Sequence, residues 1–309
     1  MPNNTTGMFQ TLVAAANSAS ANLSFANAFL DLVFKGYSPK ETSPGSYVSL
    51  NILIPTVDEG NANDIGSGPI VTTSTTDNVM SLPFNHKDNV SFVIKSWDQV
   101  RTPADLERLY LKPSLEALMR KINRRVAAFA TTASFSTYAP VLGIKAASFN
   151  RLDLTAAWTL LTQAGVPVED EADIYFVTSP LAYGNMLGDQ NFYQMYVSGQ
   201  EAAEQAQQKA RLIRQYGAQV RYDQMVPAYA GAQQTGLYLH RNAIAMATAP
   251  LPAANDPSVK EMIIFPKPDL PVQIQMQYSL KDQGTLVVMN CGHGEAVIRP
   301  EYGVIVATA

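Results

Sequence analysis

Near the C-terminus, residues 290–295 (NCGHGE) combine side-chain types that bind metal ions. Cys291, His293 and Glu295 stand at alternate positions, so on a β-strand they would share one face. Each type is a permissible zinc ligand, but a zinc site usually takes a second pair of ligands and the sequence has no other cysteine. We therefore interpret the motif as a glycine-rich turn between two strands, and we predict no metal site and no cofactor.

Sequence motifs for catalysis are missing. The chain has no GxxxxGK[ST] phosphate loop, no GxSxG nucleophile elbow and no HExxH helix. The acidic run 169–171 lacks the ordered spacing of a calcium loop and is typical of a solvated loop. We therefore predict that the protein is not an enzyme. An α/β hydrolase or transferase stays an alternative, because strand 173–178 leads into a helix start at Ser179 that could border a binding crevice.

The composition indicates a globular protein whose surface is largely covered in its working state. Its 309 residues suffice for two domains, and 47% hydrophobic residues allow a real core, but only 16% are charged. Other copies of the same chain are the simplest cover for such a surface. The net charge of -4 disfavours a dedicated nucleic-acid-binding protein, yet it suits a wall that encloses DNA without sticking to it.

Export and membrane insertion are not expected. The N-terminus has no basic segment followed by an apolar run, so it does not resemble a secretory signal. The most apolar stretches, such as 243–251, are far shorter than the roughly 20 residues of a membrane-spanning helix. The single cysteine allows no intrachain disulfide and fits a reducing compartment. We predict a soluble protein, made in a cytoplasm, with no membrane partner.

The first third of the chain predicts an arm followed by a β-hairpin. Residues 1–37 are polar at first and then carry one apolar helix face. Within 38–100, a strand is predicted from alternating apolar residues, namely Val48, Leu50, Ile52 and Ile54. A turn-rich tip follows and begins at Asp58 and Glu59. Because large apolar residues are scarce here and isolated hairpins are marginal in water, we expect this region to need a partner surface.

A long amphipathic helix is predicted over residues 102–130, with Thr102 as its N-cap, Pro103 in its first turn and a kink at Pro113. Its apolar face consists of Leu115, Leu118, Met119, Ile122, Val126 and Phe129. Its other side carries Arg120, Lys121, Arg124 and Arg125. These basic residues either face packaged nucleic acid or pair with acidic residues of this chain or a neighbour.

The rest of the chain predicts a mixed α/β region over 150–250 and a β-rich region over 251–309. Helices are expected at 152–164, from Ser179 onward and at 201–211. Strands are expected at 173–178, 218–222, 236–240, 243–248, 272–276, 286–289 and 304–306.

Residues 80–129 resemble the P22-type branch of tailed-bacteriophage coat proteins. In that family, a turn like the one formed by Asn85, His86 and Lys87 precedes a Val-x-Phe strand, here Val90 and Phe92. The strand leads to a helix with a Tyr-Leu-Lys-Pro block, here Tyr110, Leu111, Lys112 and Pro113. Residues 237–252 and 294–309 also resemble the closing segments of the family.

The resemblance implies an α+β, HK97-like capsid fold over nearly the whole chain. Its parts would be an N-arm (1–37), an E-loop hairpin with a P-domain strand (38–100), the P-domain spine helix (101–149), a mixed α/β A-domain (150–250) and strands that return to the A- and P-domains (251–309). The chain has no room for the large accessory domain of the P22 coat protein. We expect no Lys–Asn crosslink between subunits, because no motif marks a partner for Lys87 or Lys95.

The same resemblance implies a major capsid protein that self-assembles in the host cytoplasm. Its hexamers and pentamers would form the icosahedral shell of a virion around double-stranded DNA, bound without sequence specificity. Scaffolding, portal and decoration or cement proteins would be its partners. The E-loop residues on a neighbouring subunit would be Val48, Leu50, Ile52, Ile54, Asp58 and Glu59. An encapsulin-like nanocompartment or a gene-transfer-agent shell is the alternative within this fold.

Overall fold

The computed structural model describes residues 28–35, 50–57, 75–95, 105, 107–135, 151–167, 173–188, 212, 214–215, 217–227, 235–252, 255–267 and 270–307. Predictions for most of the N-arm, for Val48, for the tip at Asp58 and Glu59, for Thr102 and Pro103, and for a helix at 201–211 lie outside these residues. Among the described residues, no helix is long and apolar enough to cross a membrane.

The described helices are α1 (Ala28–Leu32), α2 (Lys112–Ala127), α3 (Thr132–Phe135), α4 (Arg151–Gln163) and α5 (Pro180–Gly188). The strands are β1 (Leu50–Val57), β2 (Thr75–Leu82), β3 (His86–Lys95), β4 (Ile174–Thr178), β5 (Arg214–Gln215), β6 (Ala218–Tyr222), β7 (Thr235–His240), β8 (Ile244–Ala249), β9 (Lys260–Lys267), β10 (Leu270–Ser279), β11 (Gly284–Val297) and β12 (Gly303–Ala307). Strands β4, β6, β7, β8 and β12 agree with the predicted runs, whereas β11 extends far beyond the predicted 286–289, and β5 and β9 are not among the predicted strands.

The first sheet is antiparallel and is built around β11. Its order is β3-β11-β10-β9, and β8 pairs with the C-terminal part of β11. β11 is 14 residues long, and its pairing with β3 runs without interruption from Gly284 to His293. The interpretation of 290–295 as a turn is therefore wrong, because these residues lie within a strand that has neighbours on both sides.

The second sheet has the order β12-β7-β4-β6-β5, and within it only β4 and β6 are parallel. Buried side chains of α4 and α5, such as Leu154, Leu161 and Met186, cover Phe176 and Tyr238 of this sheet. Strand β8 (244–249) belongs to the first sheet, whereas β12 (303–307) crosses to the second. The domain boundary predicted at residue 250 stays a prediction.

Helix α2, which we call the spine helix, lies against the first sheet. A π-helical turn, Glu107–Leu111, precedes it without a break, and Pro113 follows in its first turn, where the proline ring supplies no N–H to the helix. The predicted kink at Pro113 stays a prediction. The apolar face is confirmed, since five of its six predicted members are fully buried and Phe129 is half-buried.

Strands β1 and β2 form a separate two-stranded hairpin, with register from Leu50 opposite Leu82 to Val57 opposite Thr75. Among the described residues, these two strands pair only with each other. The root of the hairpin is anchored, because Leu82 and Phe84 are buried against alanines of β8. Strand β3 follows directly and belongs to the sheet of its own subunit, so the prediction of a missing partner surface is wrong for β3.

Candidate functional site

Six ionisable side chains meet between α2 and the first sheet, and we call this group the ion cluster. Its members are His86 and Asp88 of β3, Lys121 and Arg125 of α2, and His293 and Glu295 of β11. Strand alternation places alternate residues on one face, and the pairing of β3 with β11 sets His86 opposite His293. A spacing of four residues brings Lys121 and Arg125 to the same side of the helix.

Asp88 is the centre of the ion cluster and is fully buried. Arg125 donates to it with two nitrogens, Nε to Oδ2 at 2.9 Å and Nη2 to Oδ1 at 3.1 Å. Lys121 Nζ lies 3.0 Å from Oδ1. Burial by itself would raise the pKa of Asp88, but the contacts with Arg125, Lys121 and His293 outweigh it and lower the pKa to about 2. Asp88 therefore stays ionised and joins β3 to the spine helix.

His293 lies between two carboxylates and is also fully buried. Its Nε2 is 3.1 Å from Asp88 Oδ2, and its Nδ1 is 2.8 Å from Glu295 Oε2. Two ionised carboxylates can only accept, whereas a neutral imidazole donates one hydrogen, so this pair of contacts needs one proton more than neutral His293 supplies. His86 completes the group, with its Nδ1 3.3 Å from Arg125 Nη1 and its Nε2 3.6 Å from Glu295 Oε1.

The chemistry available to the ion cluster is electrostatic. Within the described part of the chain, no group of histidine, cysteine and acidic residues has the arrangement of a metal site. Lys121 and Arg125 bind the carboxylate of Asp88, which a metal ion would need as a ligand. Cys291 is buried beside the cluster, and burial, followed by the charges of Asp88 and Glu295, raises the pKa of its thiol to about 12. Such a thiol is a poor nucleophile.

The glycines of the NCGHGE motif face away from the ion cluster, toward the root of the hairpin. A Cβ on Gly294 would lie 1.9 Å from the carbonyl oxygen of Pro83, and a Cβ on Gly292 would lie 3.1 Å from the ring of Phe84. The chain between β2 and β3 thus crosses directly over β11. The alternation of glycines with polar residues reflects a strand with a close backbone crossing on one face and ion pairs on the other.

A second polar junction joins the N-terminal segment to the core. The buried carboxylate of Asp223 accepts hydrogen bonds from the Ala28 amide at 2.9 Å, from Asn123 Nδ2 at 2.8 Å and from the Met225 amide at 2.8 Å. Asn123 Oδ1 in turn accepts from the Leu30 amide at 3.0 Å. This junction fixes α1 against α2 and the end of β6. The sequence analysis did not identify it, because isolated polar residues carry no pattern that marks a partner about 100 residues away.

The predicted basic face divides into two parts. Lys121 and Arg125 bind Asp88 of the same chain, and their contact with DNA or a neighbouring subunit stays a prediction. Arg124 is exposed and contacts Met225 Sδ at 3.5 Å, while Arg120 is half-buried. Arg120 and Arg124 stay predictions as contacts to DNA or to another subunit.

The residues that carry the family resemblance lie at the start of the spine helix. Tyr110 stacks on Phe92 of β3 with ring centroids 5.8 Å apart, and Leu111 is buried. Lys112 and Pro113 begin α2. The block therefore seats the helix on the first sheet. Of the hairpin residues, the structure places Leu50, Ile52 and Ile54 in β1.

Solved structures with the same fold are capsid subunits. The capsid of cyanophage P-SCSP1u is 16% identical, covers 92% of this chain and 88% of its own, and has a TM-score of 0.61. The capsid of cyanophage A-1(L) is 10% identical, covers 92% and 95%, and has a TM-score of 0.59. The capsid of an empty GTA particle is 15% identical, covers 92% and 91%, and has a TM-score of 0.56.

The chain therefore has the HK97-like α+β capsid fold that the sequence predicts. No protein-family model matches it, and no curated protein matches it in sequence. At these identities the likeness is one of fold, and the P22-type branch stays a prediction.

Proposed function

We propose that this protein is the major capsid protein of a tailed bacteriophage and belongs to the P22-type branch. It assembles into hexamers and pentamers of an icosahedral shell that encloses double-stranded DNA, and it has no catalytic role. The observation that carries the proposal is the β1–β2 hairpin, which pairs with no other described strand of its subunit. The likeness in fold to capsid subunits over about nine-tenths of the chain supports it.

The hairpin would obtain its missing partner from a neighbouring subunit. Isolated two-stranded hairpins are marginal in water, so a hairpin whose described strands pair only with each other gains stability from a second surface. The contact residues proposed for it are Val48, Leu50, Ile52, Ile54, Asp58 and Glu59. Such a contact between different patches on successive subunits forms a ring when the rotation from one subunit to the next closes on itself.

The remaining partners follow from the same proposal. A scaffolding protein and a portal protein would guide assembly in the host cytoplasm, and a decoration or cement protein would bind the finished shell. Arg120 and Arg124 would contact DNA electrostatically, without reading its sequence. A gene-transfer-agent shell is the second candidate, and the likeness to the capsid of a GTA particle favours it.

Electron microscopy of the purified full-length chain, alone and with a candidate scaffolding protein, tests the proposal. Rings or closed shells are expected, and monomers that persist under all conditions would contradict it. A double variant, Ile52→Asp with Ile54→Asp, should abolish shells but leave circular dichroism of the subunit unchanged. The matched control is Ser81→Asp on β2, where the native side chain is exposed. Sequencing nucleic acid from filled particles separates a phage genome from random host fragments, the content of a gene-transfer agent.

A further inference from the structure

Solvent reaches three members of the ion cluster, Lys121, Arg125 and His86, and of these His86 lies at the root of the hairpin. His86 is the first residue of β3, and only Pro83, Phe84 and Asn85 separate it from β2. Its side chain is 33% exposed, whereas Asp88, His293 and Glu295 are buried. A change in the charge of His86 therefore acts at the point where the hairpin leaves the body of the subunit.

The contact between His86 and the spine helix holds in one protonation state only. Arg125 Nη1 always carries hydrogens and can only donate, so at 3.3 Å the Nδ1 of His86 must accept. Addition of a proton to Nδ1 places two donors, and two positive charges, against each other. The contact with Glu295 on β11, at 3.6 Å, is meanwhile strengthened. Protonation thus releases His86 from α2 and holds it to β11.

The other charged groups around His86 do not compensate this change. Asp88 is already engaged by Arg125, Lys121 and His293, so Arg125 is held in place rather than free to turn away. His293, whose ring centroid is 5.7 Å from that of His86, is itself bonded to both carboxylates. Among the described groups of α2, β3 and β11, these are the charges that face His86.

We infer that His86 is a pH-sensitive contact that sets the orientation of the β1–β2 hairpin relative to the spine helix. Histidine is the side chain that ordinarily changes charge between roughly pH 5 and 8. The crossing at Gly294 fixes Pro83 on β11, and only Phe84 and Asn85 lie between this point and His86, so the hairpin would sense a displacement of His86 through this short connection. An effect of this pH-sensitive contact on assembly rests on the proposed function, whereas the contact itself lies within one subunit.

Distance measurements between spin labels test the inference in the full chain. Labels at Asn78→Cys on β2 and Ala117→Cys on the exposed side of α2 report the angle of the hairpin, and the buried Cys291 stays unlabelled. Labelled chains are diluted with unlabelled protein, so that only distances within one subunit are seen. The distance distribution should shift between about pH 7.5 and about pH 5.5. In His86→Gln, which stays neutral and can still accept from Arg125, the shift should disappear.

The control is His240→Gln, because His240 lies in the second sheet, where its Nδ1 accepts from the Asn242 amide. This variant should keep the shift. An unchanged distribution in the native sequence, or an equal shift in His86→Gln, would overturn the inference. Nitrogen–proton NMR of the native histidine rings gives a second, variant-free test, since Nδ1 of His86 must lack a proton at about pH 7.5. A proton there would overturn it as well. None of these outcomes depends on shells, so the proposed function is tested separately.

Discussion

Gly294 lies directly beneath the carbonyl oxygen of Pro83, and a methyl group at residue 294 would come within 1.9 Å of that oxygen. The two residues belong to β11 and to the connection between β2 and β3, so this approach fixes where the hairpin leaves the first sheet. On the opposite face of β11, His293 and Glu295 belong to the ion cluster. One short segment of strand thus seats the hairpin on one side and the spine helix on the other.

Gly294→Ala is expected to destabilise the subunit by about 1–3 kcal/mol or more, because the added Cβ meets backbone that cannot turn aside as a flexible side chain does. Chemical denaturation followed by fluorescence measures the change. Gly184→Ala in α5 is the control, since a Cβ there meets nothing within 4 Å and alanine favours a helix. Equal stability of the two variants would contradict the close crossing.

Asp88→Asn is expected to cost about 1.5–3 kcal/mol, because the amide cannot satisfy Arg125 and Lys121 as the charged, two-oxygen acceptor does. Denaturant midpoints at neutral pH give the difference in the free energy of unfolding. Asp256→Asn is the matched control, because Asp256 is exposed and its side chain accepts from the amide and the side chain of Ser258. A loss confined to Asp256→Asn would rule out a central role for Asp88.

The stabilisation by Asp88 should disappear in acid. The pKa of Asp88 falls from an ordinary value of 3.8 to about 2 in the folded chain, so the ionised form stabilises the fold above about pH 4. This contribution is lost as the pH drops toward about 2, where the folded state must also take up the proton. Native protein and Asp88→Asn should therefore converge in stability over this window. Parallel curves of unfolding free energy against pH would speak against the assignment.

Cys291 should be unreactive in the folded protein, because its side chain is buried and burial raises the pKa of the thiol to about 12. A maleimide added at neutral pH should modify it only after denaturation, as mass spectrometry can show. Ser81→Cys supplies the comparison, since residue 81 is exposed on β2 and should react at once. Rapid modification of Cys291 in native protein would show that β11 is accessible.

Asn123→Ala should weaken the attachment of α1 by about 1–3 kcal/mol, because it leaves the Leu30 amide without its acceptor and removes a donor from Asp223. Hydrogen exchange by mass spectrometry should then rise in residues 28–35. Asn242→Ala, in an exposed turn, is the control and should leave this exchange unchanged. If α1 exchanges equally in both variants, Asn123 does not hold it.

The sequence by itself determined the periodic elements, and the resemblance carried in part by residues 110–113 implied the capsid fold that the solved structures share. Alternation in β10 and the apolar face of α2 are local properties of a chain that must bury one side of each element, so they can be read without knowing the partners. The glycines at 290–295 led to the wrong prediction of a turn, because glycine also occurs in a strand that another segment crosses closely.

Only the tertiary structure decided which charges meet. Asp88 and His293 are 205 residues apart, and the sequence around either residue does not predict contact with the other. Their contact depends on the register of β3 against β11 and on the seating of α2 over both strands. Ion pairs follow no period along the sequence, so the three-dimensional path of the chain determines them, whereas hydrophobic periodicity is a property of each single element.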